Sequence, residues 1–276
     1  MNRPETRQRP KRTLLFTAAL LLLTSCTTVA ETGFEPVAEA QSYDILIDNG
    51  LIVDGSGSAP YVGDVAIRND RIVAVSPEIT GSATRVIDAR GLAVAPGFIN
   101  MLSWAPDALI ADGAGESDIR QGITLEVFGE GWSEAPLTDK MVETLESEQG
   151  DIRYPISWRT LDQYFDFIEN RGIAPNVASF VGATTVRINE LDYADVDPDA
   201  AQLDRMRALV REAMDDGAMG VGSSLIYAPA SYAETPELVA LATESARCGG
   251  MYISHMRNES DHVLEAVDEL IEIAPK

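Results

Sequence analysis

The sequence predicts an α/β protein: a partial (β/α)8 TIM-type barrel of about five strand–helix units, preceded by a small β-sandwich-like module. Three observations carry this expectation. Residues 43–93 consist of short β-branched runs punctuated by Asn49-Gly50 and Asn69-Asp70, the mark of hairpins. From residue 94 the pattern changes to short apolar strands separated by helical stretches, which is the signature of parallel βαβ units. The chain has 276 residues, 45% of them hydrophobic, enough for one large core and a small one.

The first 25 residues read as a processing segment rather than fold. Arg3, Arg7, Arg9, Lys11 and Arg12 form a basic arm, and residues 13–23 are an apolar run too short to span a bilayer. Leu23-Thr24-Ser25-Cys26 then resembles a bacterial lipoprotein signal, with Cys26 as the acylated residue. The competing reading is an ordinary cleaved signal with an incidental cysteine. Either implies export; the lipoprotein reading adds the periplasmic face of a bacterial membrane and a lipid anchor at Cys26. Cys248 is the only other cysteine, so lipidation of Cys26 excludes an intramolecular disulfide. Residues 26–42, small, polar and Pro-containing, form a flexible tether.

Within the β module, Asp44-Ile45-Leu46-Ile47, Leu51-Ile52-Val53, Asp64-Val65-Ala66-Ile67, Arg71-Ile72-Val73-Ala74-Val75 and Val86-Ile87-Asp88-Ala89 are the expected strands. Residues 94–276 make up the barrel portion. Its first strand is the apolar run from Leu92 to Asn100, taken as covered on both faces. A helix is expected over residues 110–121 and a second strand over 122–129. Helical sequence then runs through 138–170, broken at Pro155. A third strand follows at 176–181, with a helix over 199–215 opening at Asp197-Pro198. The remaining elements are a strand at 218–222, a helix at 236–247, a strand at 251–255 and a helix at 263–273. The sequence stops after Ala274-Pro275-Lys276 with no sixth strand, so the expectation is the N-terminal portion of a longer protein.

The formal charge of −23 argues against nucleic acid or an anionic membrane surface as the main partner. The candidate chemistry sits at strand ends. Gly249-Gly250-Met251-Tyr252-Ile253-Ser254-His255-Met256-Arg257 reads as a strand that delivers a histidine at its C-terminal end, where barrel enzymes place their active groups. The chain has two histidines. An isolated one is more often a satisfied core side chain than a ligand. His262, in an Asp261-His262-Val263 context at a helix start, reads as a surface residue.

The order of motifs resembles the amidohydrolase superfamily, and within it the D-aminoacylase (N-acyl-D-amino-acid deacylase) family. The resemblance rests on residues 43–55, Asp88-Ala89-Arg90-Gly91, Pro96-Gly97-Phe98-Ile99, Gln121-Gly122-Ile123-Thr124, residues 220–227 with Pro229 and Thr235-Pro236-Glu237-Leu238, and residues 249–257. It implies a metal-dependent hydrolase of a non-peptide C–N bond, with one Zn2+ per complete chain, a small N-acyl amino acid or related amide as substrate, and an aspartate proton shuttle beyond Lys276. Two departures matter. Where the family carries Asp-x-His-x-His, this chain reads Asn100-Met101-Leu102-Ser103-Trp104, and neither Leu102 nor Trp104 can ligate zinc. At the place of the family's cysteine ligand stands Glu130, between Gly129 and Gly131. A carboxylate is a competent zinc ligand; without the resemblance, Glu130 reads as a solvated loop carboxylate. The resemblance thus assigns Glu130 and His255 as metal ligands, with a third histidine beyond Lys276.

Ser223, Ser224, Tyr227 and Arg257 are the polar groups near strand ends that a substrate carboxylate would meet. Arg257 pairing with Glu259 or an internal carboxylate is an equal reading. Trp104 and Trp132 flank the expected barrel mouth, as core packing or as an acyl-side wall. The alternative function is a catalytically degenerate, lipid-anchored protein of the same fold that binds an acylated small molecule.

Overall fold

The computed structural model of the protein describes residues 42–274, so the expected signal, Cys26 and the tether up to residue 41 lie outside the described residues. The described residues form two compact units, one from residues 42–52 and 61–92, the other from residues 53–60 and 93–274.

In the first unit, β1 (Ser42–Ile52), β2 (Tyr61–Arg68), β3 (Arg71–Ser76) and β4 (Ser82–Asp88) form one sheet in the order β3-β2-β1-β4. The expected sandwich is therefore a single mixed sheet. The β2–β3 hairpin turns at Asn69-Asp70 as expected, but β4 runs parallel to β1. Asn49-Gly50 does not turn the chain. Asn49 takes a left-handed φ of 59° within β1, and the β1–β2 register shifts between Ile47 and Gly50, which is a bulge. The buried Asp64 holds it there, accepting from the backbone N–H of Asn49 (2.9 Å) and of Ile79 (2.9 Å). Tyr43, Leu46 and Ala66 form the small core of this unit.

In the second unit, β5 (Ala93–Val94) and β6 (Phe98–Asn100) replace the single expected strand. Pro96-Gly97 separates them, because proline cannot donate to a ladder. Nor is the run doubly covered: Phe98 is 60% exposed and Ile99 55%. The expected helix over 110–121 is likewise two pieces, α1 (Pro106–Ala111) and α2 (Glu116–Ile119), parted by Gly113-Ala114-Gly115. β7 (Ile123–Phe128) then pairs parallel with β6. The helical stretch around Pro155 forms α3 (Asp139–Glu148) and α4 (Leu161–Arg171). Thr138 and Thr160 cap them, their hydroxyls accepting from Met141 N (3.2 Å) and Gln163 N (3.3 Å).

The third strand is interrupted at Phe180 into β8 (Asn176–Ser179), parallel to β7, and β9 (Val181–Gly182), parallel to the following strand. After it comes α5 (Ala183–Leu191), which sequence reading missed. α6 (Ala200–Asp215) begins at a capping box made by Asp199 and Gln202. β10 (Gly220–Ser224), α7 (Thr235–Ala246), β11 (Met251–His255) and α8 (Val263–Ile273) follow the expected order. All strand pairs from β6 to β11 are parallel, so every strand delivers its C-terminal end to one edge. The core lies between this array and its helices. At its centre Trp158 packs on Tyr164 (5.3 Å between centroids) and Phe167 (4.7 Å).

Candidate functional site

At the C-terminal edge, β7 leads into Gly129-Glu130-Gly131, which folds back over the neighbouring strand ends. Gly129 has φ 92°, and a Cβ there would stand 2.1 Å from the Phe180 carbonyl oxygen. A Cβ on Gly222 of β10 would meet the Gly129 carbonyl at 2.2 Å. Glycine at both places lets the turn sit directly on the sheet, and the Ser224 hydroxyl donates to the Glu130 carbonyl to fix it. Glu130 is thereby aimed inward rather than into water.

β10 and β11 pair in register, Ser224 opposite His255, which brings the histidine to the same place. His255 Nδ1 lies 3.8 Å from Glu130 Oε2, and its Nε2 lies 3.2 Å from Glu259 Oε1. The ring of Tyr227 meets the imidazole edge-on, centroids 5.2 Å apart. Burial pushes the Glu130 carboxyl above its ordinary value; the His255 imidazole pulls it back and the Glu259 charge adds to the rise. The fold therefore joins the two residues assigned as ligands, 125 positions apart in sequence.

This pair fits a zinc ion. Donors about 2.0–2.2 Å from a tetrahedral zinc stand roughly 3.3–3.6 Å apart, so the observed 3.8 Å needs little adjustment. Were His255 to hold a metal through Nδ1, its Nε2–H would be free to donate to Glu259, the carboxylate support that metal-bound histidines commonly have. Among the described residues no group of three or more His, Cys, Asp or Glu is placed to hold a metal; Glu130 and His255 stand there as a pair.

The expected substrate-binding residues do not converge. Ser223, fully buried, bonds to Tyr252 Oη (2.7 Å) and Ser254 Oγ (2.9 Å) on the face opposite Ser224. Ser224 spends its hydroxyl on the Glu130 backbone. Arg257 is clamped by Glu269, Nε to Oε2 and Nη2 to Oε1 both at 2.9 Å, and by the carbonyls of Ser231 and Ala233. All three side chains thus have partners within the protein, and Arg257 shows the internal-carboxylate pairing. Tyr227, 58% exposed beside His255, keeps its hydroxyl available. His262 is a surface residue at the start of α8, as expected.

Sequence reading missed Glu126. It is buried on β7, with Oε2 accepting from Asn100 Nδ2 (3.0 Å) and Oε1 left without a partner. The signal was available: a carboxylate in the middle of an apolar strand.

No family model matches the chain. The N-acyl-D-aspartate deacylase of Alcaligenes xylosoxydans xylosoxydans is 34% identical over 239 residues, covering 85% of this chain and 47% of that protein. A crystal structure of D-aminoacylase, described as defining a novel subset of amidohydrolases, superimposes with a TM-score of 0.73 at 31% identity, over 84% of this chain and 49% of that one. The N-acyl-D-glutamate deacylase of Bordetella bronchiseptica, complexed with zinc and a phosphonate mimic of the tetrahedral intermediate, gives 0.72 at 30% identity with the same coverage. The chain spans about half the length of the curated relatives it matches. Matched on both sequence and fold, it belongs to the D-aminoacylase family of amidohydrolases.

Proposed function

We propose that the protein is a zinc-dependent hydrolase that cleaves the amide C–N bond of an N-acyl-D-amino acid. The observation that carries this reading is the meeting of Glu130 and His255 at the strand ends, 3.8 Å apart. In this reading the parallel array from β6 to β11 belongs to a (β/α)8 barrel, and one zinc ion is held per complete chain. Zinc, when bound, polarises the scissile carbonyl and makes water nucleophilic at neutral pH. Glu130 and His255 hold the ion, and Glu259 orients the imidazole. A further donor and a proton-shuttling aspartate complete the site from outside the described residues. Tyr227 lies where its hydroxyl can reach a substrate beside His255. The relatives act on N-acyl-D-amino acids by name, which supports the substrate class.

The test is hydrolysis of a panel of N-acyl-D-amino acids by the full-length protein, before and after metal stripping. Turnover should vanish on chelation and return with zinc. Full activity after stripping would remove the metal from the mechanism, and no turnover on any panel member would sink the amide-hydrolase reading.

We also propose export with a lipid anchor at Cys26, supported by the basic arm and apolar run before it. Cys26→Ser should move the protein from the membrane fraction to the soluble periplasmic fraction. An unchanged membrane fraction would reject the anchor.

A further inference from the structure

A cavity of about 320 Å³ opens beside the Glu130 turn, sharing Gly129 with it. Its lining combines two tryptophans, Trp104 and Trp132, with three carboxylates, Asp107, Glu134 and Glu148, and the Tyr154 phenol. Among the described residues no lysine, arginine or histidine lines it. The carboxylates are not equivalent. Asp107 on α1 accepts the Tyr154 hydroxyl, and Glu148 lies exposed at the end of α3. Glu134 is held in place through its backbone, whose carbonyl accepts from Trp158 Nε1 at 2.8 Å. Among the described residues its carboxylate has no hydrogen-bond or ion-pair partner. An unpaired carboxylate in a cavity that two indoles also line is a receptor for an organic cation, which gains both charge pairing and cation–π attraction.

We propose that this cavity is the subsite for a cationic group on the substrate, so that the preferred N-acyl amino acids carry an ammonium or guanidinium side chain. The inference rests on the amide-hydrolase reading and narrows it. A substrate with a carboxylate side chain would place that charge among three acids with no cation to meet it, and like charges at close range oppose binding. This chain therefore departs in selectivity from relatives named for aspartate and glutamate. Burial, with the Asp107 charge, pushes the Glu134 carboxyl up to about 7. The groups facing it are Asp107, Glu148, Tyr154 and Tyr164, none of them cationic. An entering ammonium favours ionised Glu134, so its binding should tighten as the pH rises through neutrality.

The experiment uses the full-length protein and two independent probes. Pentylammonium is titrated by calorimetry and tryptophan fluorescence at pH values on either side of neutrality, with no turnover needed. Hydrolysis of N-acetyl-D-lysine and N-acetyl-D-arginine is compared with that of N-acetyl-D-aspartate and N-acetyl-D-glutamate. Pentylammonium should bind more tightly at the higher pH, and Glu134→Gln should weaken it roughly tenfold and flatten the pH dependence. Asp107→Asn, at the exposed lip, should weaken it less and guards against a folding defect in the first variant. Basic substrates should be preferred in kcat/KM by at least about tenfold. Pentylammonium affinity insensitive to both variants, or preference for acidic side chains, would overturn the proposal. If no N-acyl amino acid is turned over while pentylammonium binding still depends on Glu134, the hydrolase reading fails and the cation site stands.

Discussion

Arg187→Met is expected to destabilise the second unit by about 3–5 kcal/mol, the cost of breaking one side of a buried ion pair. Arg187 on α5 is 1% exposed and pairs with Glu237 on α7, itself 4% exposed. Its second terminal nitrogen donates to the Val196 carbonyl at 2.6 Å, so one guanidinium joins two helices and the loop before α6. Methionine can fill the space but leaves Glu237 buried without a counter-charge. Burial already pushes the Glu237 carboxyl up to about 7 against the pull of Arg187. A group whose folded pKa is raised contributes its stability below about pH 4.5 and loses it as the pH rises through about 7. The penalty for Arg187→Met should therefore be larger at about pH 8 than at about pH 5, as measured by denaturant unfolding of the full-length protein. Equal penalties at both would mean that Arg187 acts through packing and its bond to the Val196 carbonyl, not through the Glu237 charge. Arg187→Met combined with Glu237→Leu should recover most of the loss, since an apolar pair of similar volume removes the orphaned charge.

Much of this architecture is legible in sequence where a local rule has a single outcome. Gly249-Gly250 bounds the apolar run of β11, and Asp199 with Gln202 fixes the start of α6. The misreadings occur where one sequence signal admits two geometries. Asn49-Gly50 reads as a hairpin turn, yet the Asp64 carboxylate, 15 positions away, captures the Asn49 N–H and keeps β1 going as a bulged strand. Nothing local announces the parallel pairing of β4 with β1, because parallel partners are set by the crossover and not by the strand. The helix α5 starts at Ala183-Thr184-Thr185-Val186, whose β-branched residues disfavour helix until packing overrides them.

The site divides along the same line. The resemblance led to Glu130 and His255, and the fold brings them together. Ser223 and Ser224 could not both have faced a substrate, because successive side chains on a strand point to opposite faces. That rule was available from sequence alone. The capture of Arg257 by Glu269 was not, since it depends on how α8 packs after β11.

His255→Ala should lower zinc affinity by roughly 10²–10⁴-fold in the full-length protein. Structural zinc sites bind with about 10–16 kcal/mol shared among their ligands, so one lost ligand costs about 3–5 kcal/mol. Glu130→Gln should weaken binding in the same direction, because a neutral amide loses the charge the ion would meet, while the turn stays seated through the Ser224 hydroxyl. Glu259→Gln separates ligand from support. Its carboxylate touches His255 Nε2 at 3.2 Å, on the far side of the ring from Glu130. Loss of an orienting carboxylate typically costs about 10–100-fold in metal affinity, so the expected order of loss is His255→Ala beyond Glu259→Gln. Competition titration with a chromogenic chelator measures all three. If Glu259→Gln proves as damaging as His255→Ala, Glu259 is itself a ligand and the imidazole presents Nε2 to the ion. If His255→Ala leaves the affinity unchanged, the metal lies elsewhere and the pairing of Glu130 with His255 serves the fold alone.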